Sequence, residues 1–88
     1  MGKKREHVLE VRISEATRVL WEGKAKSVSS KNSDGVFDIL PMHSNFITLI
    51  RGEPINVVNN EGEKKEFTFK QAVIFVTDDV VRVFADIR

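Results

Sequence analysis

The chain has no cysteine and no tyrosine, and only two prolines, two methionines and five glycines among its 88 residues. Without cysteine, neither a disulfide nor a thiolate metal ligand can form. The glycines are isolated, so no phosphate-cradling loop is present. No apolar run approaches the ~20 residues of a membrane-spanning helix. The basic start, Lys3-Lys4-Arg5, leads into Glu6, His7 and Glu10 rather than an apolar stretch, so no signal peptide is expected. Position six is not Ser or Thr, which argues against myristoylation. A dominant charge is missing too: 14 basic residues face 13 acidic ones, a net charge of +1. Bulk attraction to nucleic acid or to a membrane is therefore not expected. Lys3, Lys4 and Arg5 are read as part of a solvated, frayed terminus over residues 1–7, because three charges fall short of a lipid-binding basic cluster.

What the chain does have is alternation with a period of two. Leu9, Val11 and Ile13 alternate with Glu10 and Arg12 and predict a first strand. Val19, Trp21, Gly23 and Ala25 predict a second, with Glu22, Lys24 and Lys26 facing water and small residues that admit a close neighbour. Ser27 to Gly35 is rich in Ser, Asn, Lys and Asp and reads as a strand end plus loop. Phe37 and Ile39 point one way, Val36 and Asp38 the other, until Pro41 ends the strand. Phe46 to Ile50 forms the next apolar run, and Ile55 and Val57 the one after. Asn59-Asn60-Glu61-Gly62 is a turn signal, and Phe67 and Phe69 mark the returning strand.

A last hairpin joins Ala72–Val76 to Val80–Ala85 across Asp78-Asp79. With a two-residue turn, Thr77 pairs with Val80, and Ala72, Ile74, Val76, Val81, Val83 and Ala85 share one aliphatic face. The other face carries Val73, Phe75, Val80, Arg82 and Phe84. That is unusually apolar for a solvated surface. It is either an exposed interaction patch or a surface covered by a loop or terminus.

Roughly seven to nine short strands with regular turn signals predict one all-β domain over residues 1–88, a small β-sandwich of two packed, mostly antiparallel sheets. Leu9, Val11, Ile13, Trp21, Phe37, Ile39, Ile74, Val81 and Val83 are expected between the sheets.

No catalytic residue, metal site or cofactor is expected. The two histidines, His7 and His43, have no ligand spacing between them. Asp78-Asp79 is explained by turn chemistry, and Glu61 and Glu63 flank a turn glycine. Mixed charge around Phe67 and Phe69 argues against a nucleic-acid surface. His43 has two readings, a partner contact and an imidazole that caps backbone groups in the corner.

The string Gly35-Val36-Phe37-Asp38-Ile39-Leu40-Pro41-Met42-His43, followed by Thr48-Leu49-Ile50-Arg51-Gly52, resembles a segment of the epsilon subunits of F-type ATP synthases. That family usually carries Gly-x-Phe-Gly-Ile-Leu-Pro-x-His, then Thr-x-Leu and a glycine. Val19-Leu20-Trp21-Glu22-Gly23-Lys24-Ala25 is similar to the family's second strand, and Val81 to Asp86 to its Val-Thr-Val-Leu-Ala-Asp ending. Three departures stand out. Asp38 replaces a glycine. Lys70-Gln71-Ala72-Val73 replaces a Ser-Gly-Gly-Phe block, and with it a possible close backbone approach. The sequence stops at Arg88, where the typical member continues into a two-helix domain, so it resembles a short form, natural or truncated. Inhibition and ATP binding, which belong to that helical domain, do not carry over.

The resemblance implies a non-catalytic rotor part of a proton- or sodium-coupled synthase, peripheral on the cytoplasmic side of a bacterial membrane and not inserted in it. Its partners would be the gamma subunit and the polar loops of the c-ring. His43, Asn45 and Thr48 would face gamma, joined by the apolar patch at Phe75 and Phe84. Asp34, Gly35 and Val36 would lie near the ring. The alternative is a free-standing β-sandwich interaction or ligand-binding module unrelated to the synthase.

Overall fold

The computed structural model describes residues 7–86. Of the expected frayed terminus, residues 1–6 lie outside the described residues. Nine strands follow one another: β1 (Leu9–Ser14), β2 (Val19–Ala25), β3 (Ser27–Asn32), β4 (Gly35–Ile39), β5 (Phe46–Ile50), β6 (Pro54–Val58), β7 (Lys64–Thr68), β8 (Ala72–Thr77) and β9 (Val80–Ala85). They form a five-stranded sheet in the order β2-β1-β9-β8-β5 and a four-stranded sheet in the order β4-β3-β6-β7. All pairs are antiparallel except β1 with β9. The all-β sandwich expected from the alternation is the fold observed.

The alternation decides which side chains meet. Leu9, Val11 and Ile13 from β1, Ile74 and Val76 from β8, and Val81 and Val83 from β9 are buried against Val28, Ile39, Ile55 and Val57 of the other sheet. Each such aliphatic removed from water contributes about 1.5–3 kcal/mol before entropy is counted. The register of the last hairpin is the predicted one, with Thr77 opposite Val80. Asp78 and Asp79 both take positive φ, 50° and 67°, the conformation of a two-residue hairpin turn.

Three expectations need correction. Ser27 to Asn32 is a full strand, not a strand end running into a loop. Its inward positions are Val28 and Ser30, and the buried Ser30 donates its hydroxyl to the Pro54 carbonyl at 2.8 Å. A satisfied serine thus occupies a core-facing position, which hides the alternation. Trp21 and Phe37, expected between the sheets, are only partly buried. They stand on edge strands and close the two open sides of the sandwich. Trp21 meets Phe67 with ring centroids 6.4 Å apart, and Phe37 meets Phe46 edge-on at 5.7 Å. The Trp21 ring also lies over Gly23, where an added Cβ would come within 3.1 Å of it. The neighbour that needs the small residue is therefore the tryptophan two positions earlier. Leu20 reaches the core because the β1–β2 register shifts between Ile13 and Ser14.

Two neighbouring substitutions separate core from surface. Ile74→Ala, at a fully buried position, is expected to cost about 2–5 kcal/mol in urea unfolding. Val36→Ala, where the side chain is 79% exposed, should stay within about 0.5 kcal/mol.

Candidate interaction surface

The outward face of the five-stranded sheet carries the exposed large hydrophobics Ile47, Leu49, Phe75 and Phe84. Strand β5 is its edge, and the inward residue Ile50 is buried while Phe46 and Thr48 are half-buried. Period two then turns Ile47 and Leu49 outward, where they are 59% and 42% exposed. The register sets Ile47 beside Phe75, Leu49 beside Val73, and Val73 beside Phe84. Phe75 and Phe84 are exposed and pack edge-to-face with centroids 5.6 Å apart. Of the two alternatives left open for Phe75 and Phe84, the structure shows the exposed one among the described residues: no described loop covers them. Ile47 and Leu49 enlarge the patch. Their signal was the strand period applied to Phe46–Ile50, a run too uniformly apolar to reveal its own phase.

The corner between β4 and β5 lies at one end of this face. His43 N donates to the Leu40 carbonyl at 3.1 Å, closing the turn after Pro41. The His43 ring lies 5.0 Å from that of Phe46, and its Nδ1 is 2.6 Å from the Ser44 carbonyl oxygen. The imidazole is thus engaged with local groups while half-buried. The corner is tied to the β8–β9 turn by two reciprocal bonds. Met42 N donates to Asp79 Oδ1 at 2.6 Å, and Asp78 N donates to Asn45 Oδ1 at 3.0 Å. Turn chemistry accounts for the two aspartates, as expected, but Asp79 also serves as the acceptor that holds Met42 at a φ of 68°.

The third region is the β3–β4 hairpin. Asn32 Oδ1 accepts from Asp34 N at 2.9 Å, and Gly35 takes a φ of 124°, a backbone region that disfavours side chains. Asp34 and Val36 are exposed. Asn32 Nδ2 donates to Thr48 Oγ1 at 2.9 Å. Thr48 consequently faces away from the apolar patch. It lines a cleft of about 500 Å³ between the hairpin and β5, together with Lys31, Asp34, Arg51 and Glu53.

The residues singled out from sequence are thus sorted by the fold. Phe75 and Phe84 meet on one face. Asn45 lies in the same strand phase as Ile47 at the corner end of that face, with His43 in the corner behind it. Thr48 is separated from all of them and joins Asp34 at the cleft. Gly35 and Val36 begin β4, whose other end leads to the corner about 13 Å away at ~3.3 Å per residue.

A profile of the family described as ATP synthase, Delta/Epsilon chain, beta-sandwich domain matches residues 8–87. The ATP synthase epsilon chain of Hydrogenovibrio crunogenus is 32% identical over 78 residues, covering 89% of this chain and 54% of the relative. That of Nocardia farcinica is 33% identical over 70 residues, covering 78% of this chain and 54% of the relative. This chain spans about half the length of those relatives. A chain in the mitochondrial ATP synthase of Euglena gracilis superposes with a TM-score of 0.84 at 12% identity, over 94% of this chain and 53% of that one. One in the central stalk/c-ring structure from Tetrahymena thermophila gives 0.72 at 10% identity, over 94% and 66%. At those identities the likeness is one of fold.

The tie between corner and turn is testable by itself. Asp79→Gly keeps the turn, since glycine accepts the positive φ, but removes the carboxylate that receives Met42 N. Amide hydrogen exchange at Met42 should accelerate by about tenfold or more, in keeping with the loss of ~1.5 kcal/mol of charge-assisted bonding. Exchange in β1 and β9 should stay unchanged. Equal protection of Met42 in parent and variant would show that the carboxylate does not hold the corner.

Proposed function

The chain belongs to the ATP synthase delta/epsilon β-sandwich family, and from that premise we propose that it is a non-catalytic rotor subunit of the central stalk. In this reading it binds the gamma subunit and rests on the polar loops of the c-ring. It helps couple ion-driven rotation to ATP synthesis. It sits peripherally on the cytoplasmic side of a bacterial membrane and is held there by its partners.

The observation that carries the reading is the contiguous apolar face. A domain with a net charge of +1 and an aliphatic core buried between its sheets leaves Ile47, Leu49, Phe75 and Phe84 exposed. Contiguous exposed apolar surface of this kind marks a binding face. Its position also suits a two-ended adaptor. The face and the corner with His43 and Asn45 form one continuous region, and they are assigned here to gamma. The β3–β4 hairpin, with Asp34, Gly35 and exposed Val36, lies at the other end of β4 and is assigned to the ring. Thr48, engaged by Asn32 on the side of β5 away from the apolar face, supports the hairpin through that bond and reaches gamma only through the cleft it lines.

The test is titration calorimetry with the gamma subunit of the same organism. An equimolar complex is expected. The Phe75→Ala/Phe84→Ala double variant should lose about 2 kcal/mol or more of binding, the scale of central aromatic anchors, while remaining folded. Undiminished binding by the folded double variant would remove the face from the gamma contact. No binding by the parent at concentrations on the order of tens of micromolar, a threshold set by affinity arithmetic, would favour a free-standing β-sandwich module.

A further inference from the structure

Arg82 divides the outward face of the five-stranded sheet. The strand registers align Glu22, Arg12, Arg82, Phe75 and Ile47 in one row across the sheet. The neighbouring row reads Val19, Ser14, Phe84, Val73 and Leu49. In the first row the β2 and β1 members, Glu22 and Arg12, are charged and the β8 and β5 members, Phe75 and Ile47, are apolar; the second row carries no charge. Arg12 is balanced: its Nε and Nη2 donate to Glu22 Oε2 at 3.1 and 2.8 Å. Arg82 is not. It is exposed and has no ion pair or hydrogen-bond partner among the described residues. Its cross-strand neighbours are a like charge, Arg12, and an aromatic ring, Phe75. With Arg12 already paired to Glu22, Arg82 is the guanidinium of this row left for an outside anion. Two clefts of about 460 and 540 Å³ border the Arg12–Arg82 pair, one toward Glu10 and Lys24, the other toward Ser14 and Phe84.

We infer that this face docks an acidic–apolar surface of the neighbouring stalk subunit, with a carboxylate on Arg82 and apolar side chains on Phe75, Phe84, Ile47 and Leu49. The inference rests on the stalk reading and specifies the chemistry of that interface. Charge complementarity selects the occupant. An unpaired guanidinium at the border of an apolar patch is partly desolvated when the patch is covered, and it then needs an acceptor. A carboxylate meets the guanidinium fork with two parallel bonds. A second copy of this chain fits poorly, because the acidic groups of this face, Glu10 and Glu22, lie on β1 and β2 and Glu22 is engaged by Arg12. A nucleic-acid phosphate would find one free arginine with those two glutamates close by. The registers also set a spacing. With strands ~4.8 Å apart, the partner's carboxylate sits about 5 Å from the group over Phe75 and about 10 Å from the one over Ile47.

The experiment is calorimetric titration with the gamma subunit of the same organism at two ionic strengths, roughly 50 and 500 mM, which bracket strong and weak screening. The parent's affinity should fall as salt rises. Arg82→Gln should lower affinity about tenfold or more at low salt and remove most of the salt dependence. Arg82→Lys should recover part of the loss. Arg12→Gln, on the far side of the row, should change affinity by less than about threefold, as exposed rim charges do. Thermal unfolding checks that each variant is folded. If the parent binds gamma and Arg82→Gln keeps both affinity and salt dependence, the inference is overturned while the stalk reading stands. A loss equal at both ionic strengths also overturns it, since packing of the arginine stem would then be the cause. A parent that does not bind gamma overturns the stalk reading and this inference together.

Discussion

The register of the β8–β9 hairpin, Thr77 opposite Val80, sets both faces of the molecule. Strand side chains alternate, so a slip of one residue would exchange the two faces. In the observed register Ile74, Val76, Val81 and Val83 lie at the centre of the core, and Phe75, Arg82 and Phe84 lie outside. The turn that fixes this register requires two residues at positive φ. Two aspartates tolerate that conformation, and Asp79 also holds the β4–β5 corner through Met42 N. One short turn therefore links core packing, the outer face and the corner. Because β9 runs parallel to β1 and β8 pairs with β5, the hairpin also passes its phase to the rest of the five-stranded sheet.

Two packed sheets leave open sides, and aromatic residues close both. Trp21 and Phe67 stand on one side, Phe37 and Phe46 on the other. Phe69 stacks on Phe67 with the rings 11° apart, and His43 leans on Phe46. These side chains share the phase of the core but stand at its margin, which is why alternation predicts them as buried and the fold leaves them half-exposed. Phase gives the face of a strand and says nothing about its distance from the sheet's edge. Trp21 and Phe37 show how far that limitation reaches.

The same reasoning explains what was legible in the sequence. Strands β1, β8 and β9 alternate cleanly, so their core residues and the outward Phe75 and Phe84 could be read directly. Strand β3 could not, because Ser30 fills an inward position by donating to Pro54 and removes the apolar signal there. The run Phe46–Ile50 is apolar at four of its five positions, so nothing within it tells inside from outside. Only pairing with β8 turns Ile47 and Leu49 outward, and pairing is a long-range fact. The family motif groups Thr48 with His43, and Asn45 joins them by adjacency. The bond from Asn32 places Thr48 on the opposite side of β5. The tie from Asp79 to Met42 joins residues 37 positions apart and leaves no local trace.

An edge strand left uncovered among the described residues, carrying Ile47 and Leu49 beside two exposed phenylalanines, is a liability for an isolated domain. Free edges recruit other strands, and contiguous apolar patches recruit other surfaces. Sequences commonly blunt such an edge with charge, yet here the charged residues, Arg51 and Glu53, lie beyond the end of β5 rather than on its outward positions. The core does not require this arrangement, since Ile47, Leu49, Phe75 and Phe84 contribute little to the buried cluster. Arg82 at the patch border introduces a selective element into an otherwise non-directional surface. Apolar contact alone accepts many partners, whereas an unpaired guanidinium beside it disfavours any partner that leaves the charge buried without an acceptor. The face therefore combines adhesion from its rings with discrimination from one charge, and neither property draws on the residues that hold the sandwich together.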